Sequence, residues 1–243
     1  MTDLKQEFLG IYNIFCSNIH RFGTDVVLLE YFSNSKRAKS ACDLGCGCGI
    51  IPFLMLQSNK DLKITAIDIQ KDAIKLVNRA IELNKVQDKI TPINCDLKAL
   101  PKELNAKFDL VTMNPPYKRK GSGKITGVYG IDIARNEIEC TLEDICKAVS
   151  KLLMPNGRFC ISQRPERFGE VIFEMKRAGI EPKQIRNVVN KAGDKPMLVL
   201  ISGIKGGNCS TEMLPDLILK TNDDEDTQEV KEIYKIMRGK TNG

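Results

Sequence analysis

SACDLGCGCGI, residues 40–50, is a β-type run that breaks into glycine at alternating positions and then turns apolar again. Ser40 to Leu44 reads as a strand and Ile50 opens a helix, so the glycines fill the turn between them. Without a Cβ, a glycine lets a ligand lie against the backbone, and a helix start presents N–H groups that lack internal partners. A dinucleotide fingerprint needs its third glycine three residues after the second, and Ile50 stands there, which argues against a nicotinamide cofactor.

Working outward, strand-like runs recur at Leu62 to Asp68, Ile90 to Asn94, Phe108 to Met113, Gly157 to Ser162, 183 to 189 and 197 to 204. Helical spacing separates them: Ala73, Ile74, Val77, Ala80 and Ile81 form one stripe, and Ile138, Leu142, Ile145, Val149 and Leu152 another, closed by Pro155-Asn156-Gly157. Arg164 to Ala178 supplies a further helix. This alternation predicts an α/β fold, a Rossmann-like, seven-stranded, mostly parallel sheet with helices on both faces. Residues 1–37 are expected to be an N-terminal helical cover, with Thr24 or Asp25 capping VVLLEYF. Residues 38–207 form the main domain, and residues 208–243 an extension whose short helix opens at an Asp226-Thr227-Gln228-Glu229 capping box.

Composition bounds the function. At 243 residues, 42% hydrophobic and 28% charged, the chain suits one globular domain with small appendages, and no run is long enough to cross a bilayer as a helix. MTDLKQEFLGIYNIFC lacks the apolar core of a signal peptide, so a cytosolic, disulfide-free protein is expected despite nine cysteines. Cys42, Cys46 and Cys48 crowd one turn, but no second ligand pair stands at zinc spacing and His20 is the sole histidine, so no metal is expected. Net charge is +6, with basic clusters at Lys36-Arg37 and at Lys118-Arg119-Lys120 with Lys124. Such a balance permits a nucleic-acid partner.

The pattern Asp43-x-Gly45-x-Gly47-x-Gly49 resembles the first motif of the methyltransferases that bind S-adenosylmethionine on a Rossmann-like sheet. That resemblance implies cofactor contacts from Asp43, Gly45, Gly47 and Gly49, from Asp68 toward the ribose hydroxyls and from Asp96 toward the adenine. A carboxylate suits the ribose because it accepts from two neighbouring hydroxyls. The fourth strand ends at Asn114-Pro115-Pro116-Tyr117, the motif of enzymes that methylate a planar nitrogen. The lone pair of such a nitrogen is delocalised, making it a poor nucleophile. The Asn114 side-chain carbonyl and the Pro115 backbone carbonyl can accept its two hydrogens, localising density on nitrogen and stabilising the cation formed. The prolines stiffen the corner, and Tyr117 offers a face for stacking.

The same tetrapeptide occurs in release-factor glutamine methyltransferases and in DNA adenine and ribosomal guanine methyltransferases. RFGTDVVLL at 21–29, RPER at 164–167 and GIKGG at 203–207 resemble instead the bacterial tRNA1(Val) adenine-37-N6 methyltransferases, over about residues 10–238. The resemblance implies that Phe22, Gly23, Thr24 and Asp25 close over the methionine end of the cofactor, and that the substrate is an adenosine in the anticodon loop of tRNA. It departs at Asn136 and Gln163, where the family pattern has histidine, so no role carries over to either. Lys118, Arg119, Lys120, Lys124, Lys36 and Arg37 would then meet RNA phosphates, in a protein expected to be monomeric. The competing expectations are a glutamine-N5 protein methyltransferase, which usually has a longer helical N-terminal domain, and a silent RNA- or cofactor-binding protein.

Overall fold

A computed structural model describes residues 4–17, 23–115 and 140–238. The chain opens with strands β1 (Lys5–Leu9) and β2 (Tyr12–Cys16), an antiparallel hairpin, then helix α1 (Thr24–Ser33) and a 3₁₀ turn at Ser35–Arg37. The alternating body follows: β3 (Ser40–Leu44), α2 (Ile50–Ser58), β4 (Lys63–Asp68), α3 (Lys71–Asn84), β5 (Ile90–Asn94) and β6 (Phe108–Met113). After it come α4 (Leu142–Leu152), β7 (Leu153–Gln163), α5 (Phe168–Arg177), β8 (Ile180–Val189) and β9 (Leu198–Lys205). Two-residue strands β10 (Glu212–Met213) and β11 (Leu217–Ile218) precede α6 (Gln228–Met237).

The expected seven strands lie side by side in the order β8-β9-β7-β6-β3-β4-β5, with β9 antiparallel to its neighbours and the rest parallel. The sheet counts nine because β10 and β11 add to the outer edge of β8. Buried parallel strands carry apolar side chains on both faces, and period two divides them between two cores. Ala41, Leu110 and Cys160 join the core under α1, α2 and α3, whereas Cys42, Val111, Phe159 and Ile161 join the one under α4 and α5. Among the described residues no helix is long and apolar enough to cross a membrane.

Several local expectations are corrected. The N-terminal segment is not helical throughout: β1 and β2 turn at Gly10, whose φ is +68°, and the hairpin is held by a distant partner. Asn84 of α3 accepts from the Asn13 N–H at 2.9 Å and donates to its carbonyl at 2.6 Å, while Ile14, Phe15 and Cys16 are buried. Helix α1 has Gly23 at its N-cap and no side-chain cap, and α6 is capped by Thr227, whose Oγ1 accepts from the Val230 N–H at 3.4 Å. Pro155-Asn156-Gly157 does not end α4, which opens at a Thr141–Asp144 capping box and stops at Leu152. The tripeptide lies inside β7, where the register against β6 shifts, and Asn156 adopts φ +63°.

Candidate methyl-transfer site

Ligands bind open α/β sheets beyond the carboxyl ends of the strands, at the point where strand order reverses, here between β3 and β6. Asp43, Gly45, Gly47, Gly49, Asp68, Asp96 and Asn114 all lie at or just past those ends.

In the glycine turn, the positions differ in what they do. Gly47 has φ +53°, and a Cβ built there would meet no atom within 4 Å, so its backbone faces open space that a ligand can enter. Gly49, φ +85°, is instead a packing position at the N-cap of α2, because a Cβ would lie 3.1 Å from Val77 Cγ2. Asp68 braces the turn: Oδ2 accepts the Gly47 N–H at 2.8 Å and Oδ1 the Gln70 N–H at 2.8 Å. Each carboxylate oxygen has more than one acceptor direction, so this bracing is compatible with receiving ribose hydroxyls. Asp96 follows β5, half-buried, with Oδ1 accepting the Lys98 N–H at 2.8 Å.

Asp43 sits beneath this surface. It is 1% exposed, and its Oδ1 accepts the Thr112 hydroxyl at 2.7 Å across the β3–β6 register pair. Burial pushes its carboxyl up to about 8, the Asp68 charge adds to the rise and the Thr112 hydrogen bond opposes it. An acid raised from 3.8 to about 8 holds more protons folded than unfolded between those values. The stabilisation from burying it neutral is therefore full below about pH 4 and is lost as pH rises through about 8. Asp43→Asn should flatten that trend: its melting temperature should exceed that of the wild type by several degrees near pH 8.5 and by less near pH 5. Parallel pH profiles would show that Asp43 is not the titrating group.

At the end of β6, Asn114 is held from two sides. Its Nδ2 donates to Asp25 Oδ2 at 3.1 Å, and its Oδ1 accepts the Ser162 hydroxyl at 2.5 Å. Alternation explains the meeting, since Thr112 and Cys160 are register partners on the α1 face and the next residues on that face are Asn114 and Ser162. The amide orientation is thereby set, nitrogen toward α1 and oxygen toward β7. Asp25 was expected at the cofactor's methionine end, and here it contacts Asn114. Gly23 makes room for it, since a Cβ at that position would lie 2.7 Å from Asp25 Oδ1. Thr24 Oγ1 takes a long 3.5 Å contact from the Tyr234 hydroxyl of α6. Pro115 is buried beside Asn114.

Ser162, Thr112 and the Asp25–Asn114 contact escaped sequence reasoning, because single hydroxyls at strand ends carry no motif. Gln163 falls on the other face: its Oε1 accepts the Arg164 N–H at 2.8 Å, and its buried Nε2 has no hydrogen-bond partner among the described residues. Lys36 and Arg37 are not brought to the corner; they precede β3, at the opposite, amino edge of the sheet. Phe22, Pro116, Tyr117, Lys118, Arg119, Lys120 and Lys124, like His20 and Asn136, lie outside the described residues. Among the described residues no three His, Cys, Asp or Glu side chains are grouped to hold a metal.

The family model described as "Methyltransferase small domain" matches residues 5–162. A tRNA1(Val) (adenine(37)-N6)-methyltransferase from Flavobacteriaceae bacterium (strain 3519-10) is 28% identical over 143 residues, 59% of this chain and 59% of that one. The same-named protein of Tolumonas auensis is 27% identical over 183 residues, 74% of this chain and 75% of its own. Among solved structures, one titled a predicted O-methyltransferase from Agrobacterium tumefaciens superposes with a TM-score of 0.72 at 20% identity, covering 90% of this chain and 98% of that one. That likeness establishes the fold alone.

Proposed function

The chain belongs to the methyltransferase small domain family, and on that footing we propose that it transfers a methyl group from S-adenosylmethionine to the exocyclic N6 of an adenosine in tRNA. The observation that carries this is the locked amide of Asn114 at the sheet's ligand edge, between Asp25 and Ser162. The matched relatives are named for tRNA1(Val) adenine-37, which supports an anticodon-loop substrate.

The cofactor fits the residues present: Gly47 leaves open space at the turn, and Asp68 and Asp96 place carboxylates past successive strands. When bound, it supplies a methyl group on a positively charged sulfur. Asn114 Oδ1 carries two lone pairs, so its bond to Ser162 is compatible with accepting one amino hydrogen of the base. The Pro115 carbonyl is proposed to take the other. Drawing both hydrogens into these acceptors would restore the lone pair to the nitrogen and orient it toward the methyl group that the cofactor would supply. The alkylated nitrogen is cationic and acidic and releases its proton without a prior base. An anticodon-loop adenosine is already unpaired, so presenting its base costs less than extrusion from a duplex. Pro116 would stiffen the corner, Tyr117 would stack on the base, and Phe22 would close over the cofactor. Lys118, Arg119, Lys120 and Lys124, which follow the corner in sequence, would neutralise phosphates.

The test is to incubate the protein with labelled S-adenosylmethionine and, separately, unmodified valine tRNA, bulk tRNA and a release factor, then digest and identify the product. Label in N6-methyladenosine of valine tRNA is expected. Label confined to protein glutamine, or none in any substrate, would overturn the assignment.

A further inference from the structure

The C-terminal end of α1 borders a cavity of about 360 Å³ whose wall includes Ser35, Lys36, Ser58, Arg158 and Arg186. The two arginines are in different states. Arg186 is committed: its Nη1 and Nη2 reach Glu229 at 2.7 and 2.8 Å, and its Nε donates to the Pro215 carbonyl at 2.9 Å. Arg158 is half-buried, makes one 3.3 Å bond from Nη2 to the Asn34 carbonyl, and among the described residues has no carboxylate at ion-pair distance. Lys36 likewise has no ion-pair partner among the described residues. The one acid in the wall, Glu30, is 6% exposed, accepts the Ser35 hydroxyl at 2.8 Å, and has its pKa pushed up by burial.

A guanidinium fork with unspent donors and a neighbouring ammonium beside a hollow match the geometry of a phosphate group. The mouth is reachable, since Asn34 and Lys36 are exposed. Its place also has meaning: Arg158, Cys160 and Ser162 alternate onto the same face of β7. Arg158 thus lies four residues, about 13 Å, along the strand from the serine that holds Asn114. Helix α1 spans that gap, with Asp25 at one end and the cavity at the other.

We propose that this cavity is a phosphate-binding site, filled by a backbone phosphate of the RNA whose base is held at Asn114. The phosphate chemistry stands on the cavity alone; its RNA source rests on the proposed function. The test compares wild type, Arg158→Gln and Arg158→Lys in tRNA titrations across a salt series, with unfolding temperature and S-adenosylmethionine affinity as controls for folding. Arg158→Gln should weaken tRNA binding by about tenfold or more and lower the slope of log Kd against log salt by about one. Arg158→Lys should recover part of the loss, and both variants should keep wild-type cofactor affinity. A parallel arm measures unfolding in inorganic phosphate against chloride at matched ionic strength. A phosphate-dependent rise that Arg158→Gln abolishes, with tRNA affinity unmoved, would support the site but assign it to free phosphate. A folded Arg158→Gln protein that changes neither tRNA binding nor the phosphate effect would overturn the proposal. Should wild type methylate no tRNA, the proposed function fails and the phosphate arm alone judges the cavity.

Discussion

Asn114→Ala should lower turnover by about 10²- to 10³-fold, the usual loss when one preorganised transition-state hydrogen-bond partner is removed, while the dissociation constant for S-adenosylmethionine changes less than about threefold. The contrast follows from position. Asn114 stands at the end of β6 with its amide tied to Asp25 and Ser162, whereas the Gly47 turn and its Asp68 brace lie across β3 and β4. An alanine keeps the turn and removes the acceptor that draws on the amino hydrogens. Single-turnover methylation with saturating cofactor, beside calorimetric cofactor binding, separates the two. Equal losses in both would make Asn114 a structural residue. Ser162→Ala should cost less than Asn114→Ala, because it frees the amide to rotate without deleting it.

The opposite pattern is expected at Asp68. Its two oxygens hold the N–H groups of Gly47 and Gln70, both at 2.8 Å, so Asp68→Ala unties the glycine turn and removes the proposed ribose acceptors together. Hydrogen bonds to a charged group are each worth about 1.5–3 kcal/mol, so cofactor affinity should fall by about 100-fold or more. Turnover at saturating cofactor should keep most of its wild-type value. Asp68→Asn should fall between, since an amide retains one acceptor oxygen but places a donor against an N–H. Cofactor binding by Asp68→Ala at wild-type affinity would remove Asp68 from the site.

These two residues differ in how visible they were. Asp68 could be found in the sequence because it ends an apolar strand-like run, and strand ends are countable from apolar runs and turn residues. The role proposed for Asn114 comes from the Asn-Pro-Pro-Tyr corner, but the company this residue keeps was not legible there. Asp25 is 89 residues away and Ser162 is 48 away, and neither contact has a local signal. The N-terminal hairpin was missed for the same reason. Its first strand is almost wholly exposed, and Asn84, 71 residues from Asn13, supplies the polar anchor.

By itself the sequence determined the sheet, its central strands and the edge where chemistry would gather. Two-sided apolar strands alternating with amphipathic helices have few other ways to bury their surface, and glycine at a strand-to-helix turn leaves backbone exposed there. Only the tertiary structure decided which polar groups face one another. The pleat of β6 and β7 brings Asn114 and Ser162 onto one face, α1 lays Asp25 against them, and Asp43 is sealed below the turn where its carboxyl is driven up to about 8. It also placed Lys36 at the far edge, beside Arg158. Such pairings depend on register and helix placement set by the packing of the whole domain, and no window of neighbouring residues contains them.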